Sequence, residues 1–284
     1  MIRDNYYPWR DFVTRIFSCV LAALLSSTVF AANMTFAERV ATGMEGEHRS
    51  EASTARDQYR HPAETLTFFG IEDGMTVMEI WPGGGWYTEI LAPAMRDHGT
   101  LIIATWDPQV EGQPSYRYDL PKQMEETFEK HPEVYDQVGV EYFSPPESAS
   151  LGEAGSIDAV VTFRNTHGWV NGSLAQDVFT EFARVLKPGG VLGVVQHRAV
   201  EGADVTVSAK NGYVTEAAVK EFAMNAGLVF EMASEINANP KDSTDHPEGV
   251  WTLPPGYALG DVDKEKYTAI GESDRMTLRF RKPQ

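Results

Sequence analysis

The chain has one cysteine in 284 residues, Cys19, and it falls inside an apolar N-terminal run. The remainder of the sequence therefore offers no disulfide and no thiol nucleophile. Basic charge is also scarce. Against 41 Asp and Glu stand 24 Lys and Arg, a formal charge of −17. So acidic a surface argues against a nucleic-acid backbone as the main partner and against adhesion to anionic membranes, while leaving room for a local basic pocket. No internal repeat or low-complexity tract is present. The seven histidines match no compact zinc spacing.

What is present begins with the N-terminal run. Arg3, Arg10 and Arg15 precede apolar residues 16–30, and Val29-Phe30-Ala31 places small residues at the −3 and −1 positions of a signal-peptidase site. The run is short for a bilayer span of about 20 residues. Residues 1–31 are therefore expected to be a cleaved signal peptide, giving a periplasmic or secreted protein with no stable membrane insertion after cleavage. Residues 32–61 are polar, open with a capping-box pattern at Thr35 and Glu38, and read as an N-terminal helical cap. Residues 62–284 form the principal domain, with a long insert at 237–273.

The principal domain is organised around Val77-Met78-Glu79-Ile80-Trp81-Pro82-Gly83-Gly84-Gly85-Trp86-Tyr87-Thr88. An apolar strand runs into a glycine turn, and a helix follows from Glu89 to Met95, entered through Thr88 as a plausible N-cap. Strand, glycine turn and helix open a nucleotide-binding βαβ unit. A second strand over 100–105 ends at Trp106-Asp107. An apolar strand over 157–163 ends at Arg164-Asn165-Thr166-His167-Gly168-Trp169. A helix over 174–186, the turn Lys187-Pro188-Gly189-Gly190 and another apolar strand up to Gln196-His197 complete the pattern.

The Glu79-x-Trp81-x-Gly83-x-Gly85 segment resembles motif I of the class I S-adenosylmethionine-dependent methyltransferases, with Trp81 where the family has its first glycine. The strand, helix, Lys-Pro-Gly-Gly, strand succession resembles the same family over about residues 62–280. The segments R-H-P-A-E-T, E-I-W-P-G-G-G-W-Y-T and H-G-W are similar to those of a poorly characterised exported branch. The resemblance implies an α/β Rossmann-like sheet in three α/β/α layers, mostly parallel with an antiparallel C-terminal strand. It implies S-adenosylmethionine as cofactor and a small molecule, aromatic or anionic, as methyl acceptor.

By the same resemblance, Gly83 and Gly85 pass beneath the methionine part of the cofactor, Glu79 sets the loop, and Glu141 approaches the adenine. The ribose acid falls at Thr105 in the family pattern, so Asp107 either substitutes for it or caps the next segment. Trp81 has three readings: it stacks on the adenosine or the sulfonium, fills the cofactor space, or faces a neighbouring helix as core. His167 and His197 end adjacent strands and are candidate general bases, with Asn165 orienting the substrate. Their alternatives are structural hydrogen bonding, or a metal shared with Asp242, Asp245 or His246. Arg60, Arg164 and His61 are candidate contacts for an anionic substrate, alongside Trp86, Tyr87, Trp169 and Trp251; pairing with surface acids and core packing are the alternatives. The functional readings are a small-molecule methyltransferase, a non-catalytic periplasmic binding or accessory protein on the same scaffold, or a different chemistry at the same crevice.

Overall fold

The computed structural model describes residues 34–284; the expected signal peptide at 1–31 lies outside the described residues. In chain order the elements are α1 (Phe36–Met44), α2 (Glu51–Thr54), α3 (Asp57–Arg60), α4 (Pro62–Phe69), β1 (Thr76–Ile80), α5 (Thr88–Met95), β2 (Thr100–Thr105), α6 (Tyr116–Lys130), α7 (Pro132–Tyr135) and β3 (Gly139–Tyr142). They continue as β4 (Ile157–Phe163), α8 (Thr166–Asn171), α9 (Ala175–Val185), β5 (Leu186–His197), α10 (Val205–Ser208), α11 (Glu216–Asn225), β6 (Val229–Ser234), α12 (Lys264–Ile270) and β7 (Arg275–Arg281).

The seven strands form one sheet in the order β3-β2-β1-β4-β5-β7-β6. The strands from β3 to β5 run parallel, and β7 lies antiparallel between β5 and β6. The central strands read as unbroken apolar runs because helices cover both of their faces. On one face Val178, Phe179, Phe182 and Val185 of α9 lie at helical spacing and pack with Met78, Ile80, Val160 and Leu192. On the other, Phe36 and Val40 of α1, Leu66 and Phe69 of α4, and Ile90 and Leu91 of α5 pack with Val77, Val161 and Val195. The three layers and the antiparallel edge are those the resemblance implies.

Local signals set several ends. The capping box forms at α1: Glu38 N–H donates to Thr35 Oγ1 (3.3 Å) and Thr35 N–H to Glu38 Oε2 (2.7 Å). Thr215 caps α11 through Ala218 N–H. Two expectations change. Thr88 is the first residue of α5 rather than its cap, and its hydroxyl donates to Glu79 Oε2 at 2.7 Å. Lys187-Pro188-Gly189-Gly190 belongs to β5, because Leu186 already pairs with Ile157 before an irregularity resets the register. The order reverses between β1 and β4, both leading to the same end of the sheet, and this switch point is where an open α/β sheet leaves a crevice.

Candidate functional site

The crevice beyond the carboxyl ends of β1 and β4 encloses a cavity of about 220 Å³. Of the residues singled out in the sequence, Glu79, Trp81, Gly83, Trp86, Tyr87, Arg164, Asn165, His167, His197 and Trp251 line it. Gly83, with φ 63°, has a conformation that favours glycine and has nothing within 4 Å of where a Cβ would stand. Gly85 lines a separate small pocket beside Thr88 and Glu89. Asp107 lies outside the cavity, and its Oδ1 accepts from Gln109 N–H (2.9 Å), capping its own turn. Glu141 is exposed on the edge strand β3. His61 occupies the left-handed junction between α3 and α4, and Trp169 is fully buried in the core.

Trp81 decides the shape of the crevice. Its backbone has φ 45°, the left-handed region that makes glycine usual there. Its indole is only 6 % exposed. Nε1–H donates to the Phe143 carbonyl just beyond β3 at 2.7 Å. The ring stands 5.3 Å from Trp106 just beyond β2, 5.4 Å from Trp169, and 6.3 Å from Phe143. Arg117 of α6 covers it at 5.1 Å. Asn165 Nδ2 donates to the carbonyls of Ile80 (2.8 Å) and Trp81 (3.2 Å), so this amide clamps the turn.

The opposite side of the crevice is polar. Gln196 stands beside His167. Its Oε1 accepts from Thr166 N–H, its Nε2 donates to the Gly212 carbonyl, and the same Nε2 faces His167 Nδ1 at 3.4 Å. An amide donor facing Nδ1 favours the neutral tautomer of His167 with its proton on Nε2. Burial pushes its pKa down to about 4, with Arg164 adding to the effect. His197 Nδ1 is 2.5 Å from Ser273 Oγ; burial, then His167 and Arg164, hold it well below the ordinary histidine range. Glu79, buried beneath the loop, is raised to about 7 by burial despite its bond to Thr88.

Behind this side lies an unbalanced group of charges. Arg56, Arg60 and Arg275 all pair with Glu272, at 2.5, 3.3 and 3.0 Å. Burial would raise the Glu272 carboxyl, yet Arg275, Arg60 and Arg56 together hold it down to about 2. Arg60 is fully buried, stacks 4.5 Å from the Trp86 ring, and leaves both terminal nitrogens without partners. Among the described residues Arg164, which lines the cavity, has no carboxylate paired with it; burial lowers its pKa to about 10. The buried Trp106 Nε1 also lacks an acceptor. Apart from the Glu79 carboxylate, which Thr88 engages, the crevice presents mainly donors inside a chain of charge −17. Sequence reasoning missed Glu272, Ser273 and Arg275, which lie more than 200 residues from Arg56 and Arg60 and carry no motif.

These residues fit S-adenosylmethionine poorly. The indole of Trp81 stands over the ends of β2 and β3, where the resemblance places the ribose and adenine of such a cofactor. The position that the resemblance gives to the ribose acid holds Thr105, which does not line this crevice, and the cavity falls below the range of about 300–1,000 Å³ usual for drug-sized ligands. Among the described residues no group of three or more His, Cys, Asp or Glu is arranged to hold a metal ion, and no described helix is long and apolar enough to cross a membrane.

No protein-family profile matches the chain, and no curated protein matches it. Solved structures do. A methyltransferase dependent on S-adenosylmethionine from Aquifex aeolicus is similar at 16% identity and TM-score 0.51, covering 80% of this chain and 92% of its own. The cyclase SpnF is similar at 18% identity and TM-score 0.53, covering 84% and 85%. Phosphoethanolamine N-methyltransferase 2 of Haemonchus contortus, solved with S-adenosyl-L-methionine, is similar at 15% identity and TM-score 0.52, covering 80% and 53%. With the strand order and the antiparallel β7, these likenesses establish the fold: the chain has the Rossmann-type architecture of class I S-adenosylmethionine-dependent methyltransferases.

Proposed function

We propose that the protein binds a small anionic organic molecule directly in the β1–β4 crevice and does not use S-adenosylmethionine there. It is then a binding or accessory protein on a methyltransferase scaffold. The observation that carries this reading is the Trp81 indole, held by the Phe143 carbonyl across the nucleoside half of the crevice. The unpaired Arg164 on the open half supplies the ligand class. A guanidinium can take a carboxylate through two parallel N–H bonds, and the Nε2–H of His167 adds a neutral donor. A cyclase among the similar structures supports separating fold from methyl transfer.

The test is calorimetric titration with malonate, succinate, benzoate and phthalate. At least one should bind with a dissociation constant well below millimolar, and Arg164→Gln should weaken that binding by about ten- to a hundredfold. Failure of the whole series to bind would overturn the reading. A second reading, a small-molecule methyltransferase, draws on the Glu79–Thr88 pair and on Gly83; it requires the Trp81 indole to leave its place. Export remains part of the proposal, supported by residues 1–31, and N-terminal sequencing of the protein recovered from outside the cytoplasm tests it: a start at Ala32 agrees, an intact Met1 does not.

A further inference from the structure

A second cavity, larger than the crevice, lies on the outer part of the sheet. It measures about 370 Å³ and sits between α6 and the strands β2 and β3. Ile103 pairs in register with Val140, and Thr105 with Tyr142. Alternate residues of a strand point to one face, so these four side chains form a continuous wall, and all four line the cavity. Met124 and Phe128 of α6 close it from the opposite side. The helix runs for 15 residues but buries only Met124, so it bridges the sheet edge instead of sealing it. Lys122, Glu125 and Glu129, all exposed, stand at the mouth.

Of the two hydroxyl-bearing side chains on this wall, Tyr142 is half exposed and Thr105 is buried. Thr105 is 2 % exposed, and its Oγ1 has no hydrogen-bond partner. A buried hydroxyl left unpaired weakens the fold until something bonds to it. The next residue, Trp106, turns the other way and lines the crevice, so the two cavities lie back to back along the end of β2 and share no lining residue.

We infer that the α6 cavity is a separate binding site for an uncharged, mainly aromatic or aliphatic small molecule carrying one hydrogen-bonding group, which pairs with Thr105. The wall of Ile103, Val140, Met124 and Phe128 supplies apolar contact, the volume lies within the range of small-molecule sites, and the hydroxyl sets the orientation. No charged group lies on the strand side to meet an ion. This site is independent of the anion reading of the crevice.

The probe is N-phenyl-1-naphthylamine, whose fluorescence rises on entering an apolar site, titrated into the purified protein. It should saturate at one per chain with a micromolar dissociation constant. Val140→Trp, at a position already 49% exposed and so tolerant of a larger side chain, should weaken binding by at least about tenfold. Thr105→Val should weaken it about fivefold while leaving 1-phenylnaphthalene, which lacks the amine, unaffected. Arg164→Gln should change neither. Absence of saturable binding up to the probe's solubility limit would overturn the assignment. So would binding indifferent to both Val140→Trp and Thr105→Val.

Discussion

The two halves of the crevice are built on opposite principles. Toward β2 and β3, Trp81, Trp106, Trp169 and Phe143 interlock with ring separations of 5.3 to 6.3 Å and almost no exposure. Toward β5, Arg164, His167, His197 and Trp251 surround open space, and the charges behind them are left unbalanced. The first half is packed as core; the second is open, and it is the half proposed above as the site. A single residue at the glycine position of the turn divides them. Its side chain fills one half with packing; under the function proposed above, that leaves the cationic half to a ligand of the crevice.

The sharpest way to break this contrast is Trp81→Ala. If the ring is core, the variant should be less stable by about 3–5 kcal/mol, read as a lower urea midpoint at unchanged slope. Trp81→Gly should recover about 1–2 kcal/mol of that loss, because φ 45° strains alanine but not glycine. A loss below about 1 kcal/mol would mean the ring is a surface lid and the two halves are alike.

The next effect separates the halves by pH. His167 titrates near 6.5 when unfolded and about 4 when folded. Below 6.5 the unfolded chain takes up a proton that the folded chain refuses, so this stability is present above 6.5 and is lost as pH falls to 4. Glu79 works in the opposite sense: its pKa rises from 4.5 to about 7, so its contribution is full below 4.5 and is lost as pH climbs through 7. His167→Gln should therefore become more stable relative to the native protein on acidification, by about 1–3 kcal/mol between pH 7 and pH 4. Urea titrations at the two pH values check this; an unchanged difference would place His167 in solvent.

Arg164→Gln should weaken anion binding by about ten- to a hundredfold with little loss of stability, since it removes a cation that burial already disfavours. A large stability loss with binding intact would turn the open half into core. The smallest effects are expected at Asp107→Asn and Glu141→Gln, each within about 0.5 kcal/mol in stability and without influence on ligand. Loss of binding at either would return the nucleoside half to service.

Much of the architecture was legible in the chain because it rests on local signals. Apolar runs mark β1, β2, β4 and β5, Thr35 and Thr215 cap the helices they open, and Glu79 with the glycine turn marks the first βα unit. The same signals brought ten candidate residues to the crevice lining. What was not legible depends on distance in sequence or on competition between partners. Thr88 has the residue type of a cap, but a buried carboxylate nine positions earlier claims its hydroxyl. Asn165 lines the crevice, and its amide also clamps the carbonyls at the end of β1, a contact that no motif announces. Glu272 meets Arg60 across 212 residues, a pairing no local pattern announces. The left-handed turn at Trp81 carries its ring toward β3, which a strand's simple alternation does not foresee.

The central claim is that the Trp81 indole excludes the nucleoside of S-adenosylmethionine. Calorimetric titration of the native protein with S-adenosylmethionine and with S-adenosylhomocysteine tests it most directly. The account predicts no heat and no thermal shift at millimolar ligand. Binding of either at one per chain with a micromolar dissociation constant would contradict it and make methyl transfer the leading reading.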